Sequence, residues 1–563
     1  MSTVQAIPAV TESGQPILIL KEGTTQTKGR EAQRNNITAA KVIAEMIRTS
    51  LGPRGMDKML ISSFGDATIT NDGATILKEM DVQHPAAKMM VEVAKATDQE
   101  VGDGTTTVVI LAGALLERAE NLIGKNVHPT VIVDGYSKAA EKALEFCDKL
   151  AIQVDPFDKN MLRKVAMTAM ASKMVSESRD FLADLAVDAV LQVAQKTDSG
   201  YKVEIDDIKM EKKPGASLTD TKLIRGVALD KEVVHPGMPR LVKNAKIALL
   251  DCPLEIEKTE FDAKIHIETP EQMKAFIDEE NRMLKEMVDK IAATGANVVI
   301  CQKGIDDIAQ HFLAKAGILA VRRVKQSDME KLAKATGGRV VTNLDMLSPE
   351  DLGEAEIVEE RKLGEDKWTF IEGCKNPRAI TILIRGGTER VVDEAERSVH
   401  DAICVVRNVV RNPKIVAGGG ALETELALQI RNWAQSLSGR EQLAALDFAD
   451  ALEVIPITLA ENAGLDPIDI QVELRARHEK GEKWVGVDVF EGKVRDMAKI
   501  NVYESVSVKE QIIKSATEAA CMILRIDDVI AASRMKETTP PVSYTHLRAH
   551  ETSLHLVCRL LLE

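Results

Sequence analysis

The order in which hydrophobic periodicity changes along the chain constrains its fold more than any other feature. Glu31 to Leu51 reads as an amphipathic helix through Ile37, Ala40, Ile43 and Ile47, closed by Gly52-Pro53. Thr24 to Arg30 is expected as a polar loop before it. Met59-Leu60-Ile61 and Thr68-Ile69-Thr70 alternate as two short strands, and the turn Asn71-Asp72-Gly73 leads into a helix over Ala74 to Met80. His84 to Leu150 is almost wholly helical, and Asp155 to Gln195 is helical and richer in charge. The period then changes. Strand-like runs such as Ile247 to Leu250 and Ala296 to Ile300 alternate with a helix over Ile305 to Ala316 and a strand at Ile318 to Val321. Ala379 to Ile384 is a further strand, followed by a long helix through Val410 and the strand Ile415 to Ala417. Helices return from Leu422 to about Ser533. The sequence of characters is helical, mixed, α/β, mixed, helical. Such an order implies nested domains whose halves lie far apart in the chain.

One segment stands outside this pattern. Ile256 to Lys285 is highly charged, with Pro270 in its middle, and its second half has helical spacing at Met273, Phe276, Ile277, Met283 and Met287. It reads as a protruding loop followed by a helix from Glu271 to Val288.

A chain of 563 residues is too long for one core, and three or four domains are expected at about 150 residues each. A net charge of −14 argues against nucleic acid or an anionic membrane as the main partner. Met1 to Pro16 lacks a basic region followed by a long apolar run, so no secretory signal is expected, and Ile17 to Leu20 is only strand length. That strand offers an edge for pairing with a neighbouring subunit. The seven cysteines are scattered without a Cys-x-x-Cys pair, which favours buried thiols and a reducing cytoplasm.

The chemistry is concentrated in turns. In Gly102-Asp103-Gly104-Thr105-Thr106-Thr107 the glycines allow a tight turn, and the threonines open a helix continued by apolar residues at 108, 111, 115 and 122. A helix N-terminus carries unpaired N–H groups that suit phosphate, and Asp103 is placed to hold magnesium against it. Taken alone, the hexapeptide is more readily a turn with a threonine cap, because short motifs often match by chance. Three more turns could converge with it: Leu51-Gly52-Pro53, Asn71-Asp72-Gly73 and Gly418-Gly419-Gly420. No Gly-x-x-x-x-Gly-Lys-[Ser/Thr] loop, Gly-x-Ser-x-Gly elbow or His-Glu-x-x-His helix occurs. His400 adjoins Asp401, and because adjacent helical positions do not share a face it is read as structural.

These four turns, in this order, resemble the chaperonin family from Ile19 to Ser533, through Leu51-Gly-Pro-Arg-Gly, Ile69-Thr-Asn-Asp-Gly, Gly102-Asp-Gly-Thr-Thr-Thr and Val416-Ala-Gly-Gly-Gly. The charged insertion, Gly486-Val487-Asp488 and Arg525-Ile526-Asp527-Asp528 are similar to the group II branch, archaeal thermosomes first and the eukaryotic cytosolic chaperonin next. The resemblance implies a multi-domain chaperonin fold. Its mostly helical equatorial domain would comprise residues 1–156 and 412–542, and its mixed α/β intermediate domain 157–214 and 372–411. The α/β apical domain would span 215–371, with a helical protrusion at about 253–288.

By the same resemblance Asp103 is the Mg2+ ligand, and Gly104, Thr105, Thr106 and Thr107 cradle the phosphates of ATP. Leu51, Gly52, Pro53, Gly419 and Gly486 line the nucleotide pocket, Glu504 lies near the ribose, and Asp72 and Asp401 orient the attacking water. Asp401 would complete the site when its domain closes. For each aspartate alone, a helix cap or solvated charge is the alternative. Where the family commonly has Gly-Lys-Gly this chain has Ser172-Lys173-Met174, so Lys173 would sense phosphate from a stiffer loop.

The implied partners are identical or paralogous subunits in a double ring and unfolded client proteins, with no nucleic acid and no membrane. Ile308, Phe312 and Leu313 on one helix, and Phe276 and Ile277 on the protrusion, could bind clients or equally be core. A non-hydrolysing holdase and an ATP-dependent transferase are the other functional classes. The first would have lost Asp72 or Asp401, and the second would need a small-molecule pocket for which no residues argue. Ser543 to Glu563, with three histidines and an apolar end, does not resemble a family tail and is read as foreign to the natural gene. An unbroken genomic frame through Glu563 would overturn that reading.

Overall fold

The expected periodicities become helices whose caps can be named. In the computed structural model, the described residues are 2–3, 8–10, 16–18, 25–62, 65, 67–171, 178–198, 200–256, 269–374 and 378–531. Helix α1 (Gly29–Arg48) buries Ile37, Ala40, Ile43 and Ile47, and α2 (Gly73–Glu79) starts where Asp72 caps the Thr75 amide at 2.9 Å. Helix α3 (Pro85–Val101) ends on Gly102 in the left-handed conformation, φ 69°. Two residues later α4 (Thr105–Gly124) begins, followed by α5 (Pro129–Leu150). Every residue of α4 from Val108 to Leu116 is buried, so this helix runs through the centre of a core rather than along its surface.

The charged stretch that follows forms α6 (Lys159–Ala169) and α7 (Arg179–Val193). The α/β region then builds a mixed sheet in the order 226–229, 366–372, 353–363, 241–250, 298–301, 319–321, with 340–341 also on 241–250. Val298–Cys301 pairs in parallel on both sides and all four of its side chains are buried, as a strand covered on both faces requires. Around this sheet lie α8 (Pro270–Ala293), α9 (Asp307–Lys315) and α10 (Gln326–Thr336). Helix α8 starts in a capping box of Thr269 and Gln272; it exposes Met273, Phe276 and Ile277, then buries Leu284, Val288 and Ile291. Its expected span, Glu271 to Val288, was short at the C-terminal end. Of the preceding loop, residues 257–268 lie outside the described residues.

Helix α11 (Glu389–Arg411) leads to the glycine turn and α12 (Ala421–Ala434), α13 (Arg440–Leu452), α14 (Val454–Asn462), α15 (Pro467–Glu479) and α16 (Val506–Leu524). Helix α16 packs on α3, α4 and α5, and α13 packs on α4 and α5. Tyr136 of α5 meets Phe448 of α13 edge-on at 5.9 Å, and its hydroxyl donates to the Leu115 carbonyl at 2.9 Å. The first and last helical blocks therefore share one core, while the buried apolar residues around the mixed sheet form a second.

Three expectations change. Thr25–Lys28 is a strand rather than a loop, paired antiparallel with Asp528–Ala531, so the helical ending stops before residue 528. A hairpin (Val485–Asp488 with Lys493–Asp496) and the strand Tyr503–Ser505 also interrupt the C-terminal helices. Such strands of three or four residues carry too few alternations to register as a period. Finally, Leu313 is fully buried in the second core, whereas Ile308 on the same helix is exposed.

Residues 36–525 form one compact unit. The described residues among 1–35 and 526–531 belong to another, containing the sheet of Ser2–Thr3, Thr25–Lys28 and Asp528–Ala531. In it Pro16–Leu18 pairs antiparallel with Pro8–Val10; residues 19, 20 and 543–563 lie outside the described residues.

Candidate active site

Two helix N-termini meet at the centre of the site. Gly104 caps α4 in the left-handed conformation, φ 77°, and supplies no side chain to the first-turn amides. Thr105 donates its hydroxyl to Asp72 Oδ1 at 3.0 Å, so the start of α4 is tied to the cap of α2. Gly73 touches the start of α4 directly: a Cβ there would lie 2.8 Å from the Thr106 nitrogen. The capped start of α2 thus abuts the first turn of α4, whose N–H groups have no side-chain cap and favour a phosphate chain. Asp103 Oδ1 accepts from the Gly104 amide at 2.6 Å and holds the loop in shape.

The glycine turn after Ala417 forms the opposite wall. Gly419 and Gly420 both have positive φ, 66° and 77°, and the Val487 amide donates to the Gly419 carbonyl at 2.9 Å. A side chain on Gly418 would strike Glu504, and one on Gly419 would strike Met497. At the third turn, Asn462 donates to the Arg48 and Leu51 carbonyls at 3.0 and 2.9 Å, fixing the end of α1 beside Gly52.

A cleft of about 920 Å³ joins these parts, a volume suited to a nucleotide. Its lining includes Leu51, Gly52, Pro53, Asp72, Asp103, Gly104, Thr105, Thr106, Thr107, Asp401, Gly419 and Glu504. Gly486 is not among the lining residues: it backs the glycine turn, where a Cβ would sit 2.7 Å from the Gly419 carbonyl oxygen. Lys173 lies outside the described residues. Among the described residues no group of three or more His, Cys, Asp or Glu could hold a metal by itself. Magnesium bound through one or two carboxylates and substrate phosphates needs no such cage, and Asp103 beside a phosphate seat fits it.

Several residues of the cleft escaped the sequence reading. Asn160, Arg163 and Lys164 reach it from α6, and the charge richness of that stretch was their only signal. Lys509 is buried between Glu423, at 2.7 Å, and Glu504. Burial opposes its charge, but the two carboxylates outweigh that and hold its pKa above the ordinary lysine value. Lys509 thereby fixes Glu504. Lys509→Met should lower nucleotide affinity about tenfold and cost about 3 kcal/mol of stability, since buried Glu423 and half-buried Glu504 lose their counter-charge. Titration with a fluorescent nucleotide and thermal unfolding would check both; unchanged values would detach Lys509 from the site.

His400 departs from expectation. Its Nδ1 lies 3.7 Å from Asp401 Oδ1, although the two residues are adjacent on α11. The long imidazole reaches sideways across the angular gap. Its pKa rises to about 10 because Asp401, and then Cys404, favour the charged form against a burial penalty.

The comparisons agree with this geometry. Residues 43–534 match the model of the TCP-1/cpn60 chaperonin family. The chain is 61% identical to a thermosome subunit of Methanopyrus kandleri over 524 residues, 93% of this chain and 96% of that one. It is likewise 61% identical to thermosome subunit alpha of Archaeoglobus fulgidus over 94% of this chain and 97% of that one. A thermosome subunit of Pyrococcus horikoshii gives the same identity over 93% and 96%. With nearly its whole length matched and its turns gathered at one cleft, the chain belongs to the TCP-1/cpn60 chaperonin family, in its group II branch.

Proposed function

We propose that the cleft binds ATP with Mg2+, that Asp72 and Asp401 align the attacking water, and that hydrolysis drives the folding of clients held by exposed apolar residues. As a group II chaperonin the protein is an ATP-dependent chaperone that folds other proteins. The observation that carries the site assignment is the meeting of four sequence-distant turns and Asp401 around one cleft. The first-turn amides of α4, with Gly104 to Thr107 as the cradle, bind the phosphates, and the start of α2 packs beside them. The Gly418–Gly420 turn with Leu51, Gly52 and Pro53 takes the rest of the nucleotide, with Glu504 at the ribose. Asp103 holds the cation, which when bound neutralises phosphate charge. Asp72 and Asp401 act on the water by position and by accepting its proton, and phosphoryl transfer asks little else of a protein.

The three-domain boundaries given above, the double ring and the cytoplasmic setting belong to the same reading. Relatives named as alpha and beta subunits support assembly from paralogous chains. Among the described residues no helix is long and apolar enough to cross a membrane.

Client binding is assigned to α8, where Phe276 is 43% and Ile277 44% exposed. Single exposed apolar residues are ordinary, but here Met273, Phe276 and Ile277 share one face of the N-terminal half of α8, whose other residues are mostly charged or polar. The double change Phe276→Ser with Ile277→Ser should weaken capture of a heat-denatured client about tenfold while ATP turnover persists. Light scattering during client aggregation, run beside an ATPase assay, reads both. Undiminished protection would remove the client site from this helix.

A further inference from the structure

We infer that Arg407 and Asn408 are positioning residues for hydrolysis: they dock α11 on the C-terminal carbonyls of α3 and so set Asp401 against the Asp103 loop. The inference rests on the role given to Asp401 above. The last four carbonyls of a helix have no partner within it, and those of α3 end at the loop that opens the phosphate seat. Arg407 Nη2 donates to the Glu100 carbonyl at 2.6 Å, and Asn408 Nδ2 donates to the Val101 carbonyl at 2.8 Å. The Asn408 amide is itself held, since its Oδ1 accepts from Arg407 Nε at 3.2 Å and Nη2 at 3.0 Å. One turn nearer the cleft, Cys404 packs against Gly102 so closely that any Cβ at 102 would collide with it.

The order of these contacts gives the argument its force. Asn408, Cys404 and Asp401 lie on one face of α11, and the first two meet Val101 and Gly102 in turn. The next step along both chains brings Asp401 to the cleft that Asp103 lines. Seven residues of helix span about 10 Å, so a clasp at 407–408 fixes the height of Asp401 over the loop. Arg407 and Asn408 are 8% and 6% exposed, so both donors are largely withdrawn from water. A guanidinium at a helix C-terminus also meets the negative end of its dipole. Neither side chain is among those lining the cleft, so both act through Asp401 rather than on the nucleotide.

The test uses the assembled full-length protein and measures kcat, KM and fluorescent-ADP affinity for wild type, Asn408→Ala, Asp401→Ala and the double variant. Asn408→Ala should lower kcat by about 10- to 100-fold, as expected when a reacting group is misplaced by about 1 Å, with ADP affinity unchanged. In the Asp401→Ala background the same change should cost nothing more, because its effect passes through the missing carboxylate. Losses that multiply in the double variant, or an unchanged kcat in Asn408→Ala beside an impaired Asp401→Ala, would overturn the clasp and leave the Asp401 reading standing. A normal kcat in Asp401→Ala would remove that reading and the clasp with it. If Asn408→Ala does not assemble, Arg407→Lys, which keeps charge but loses reach, carries the same comparison.

Discussion

Replacing Asp401 by alanine should lower kcat for ATP hydrolysis by about 10²- to 10⁴-fold, the range expected for loss of a positioned general base. ATP should still bind. Asp401 takes no part in the phosphate seat proposed above, at the start of α4 and the loop between α3 and α4. Its carboxylate is 13% exposed and sits beside His400, whose pKa of about 10 keeps a positive charge next to it at neutral pH. Steady-state turnover and nucleotide titration on the same preparation would read the two effects separately. Equal hydrolysis by variant and wild type would make Asp401 a structural residue and return catalysis to Asp72 alone.

Gly73→Ala should be nearly as damaging, through a single methyl group. The added Cβ would lie 2.6 Å from the Thr106 hydroxyl, 2.8 Å from its nitrogen and 2.9 Å from its Cα. Two of these atoms are backbone at the first turn of α4, so α2 must move away as a body. The displacement pulls Asp72 from the Thr105 hydroxyl and opens the seat where the two helix starts converge. A shift of about 1 Å at such a site costs on the order of 10²-fold in kcat/KM. Alanine favours helix, so the fold should persist and circular dichroism should change little. Gly124→Ala is the matched control, because a Cβ there meets nothing within 4 Å and turnover should be unaffected. Wild-type turnover in Gly73→Ala would show that the two helix starts need not touch.

Much of the site was readable because it is made of turns. Gly52, Gly104, Gly419 and Gly420 adopt positive φ, a conformation that glycine supplies at low cost, so the residue type itself advertised the geometry. Asp72 fulfils the helix-cap reading, through Thr75, and also lines the cleft. Its two oxygens are divided, Oδ2 to the cap and Oδ1 to the Thr105 hydroxyl. Gly486 was placed in the pocket from its motif, yet it serves behind the wall, where the Gly418 and Gly419 carbonyls and the Met497 side chain leave no room for a Cβ.

The sequence by itself determined most of the helices, the buried strand expected at 296–300 and found at 298–301, and the glycine turns that line the cleft. Each of these depends on residues within a few positions of one another, where spacing, caps and glycine freedom act directly. Tertiary structure alone decided which distant pieces meet. Arg407 finds Glu100 across 307 positions, Lys509 joins Glu423 to Glu504, and Thr25–Lys28 pairs with Asp528–Ala531. It also decided that Leu313 is core while Ile308 is exposed on the same helix. No local period encodes such choices, because the energy that selects them is gained only when burial and hydrogen bonding are satisfied for the whole core together.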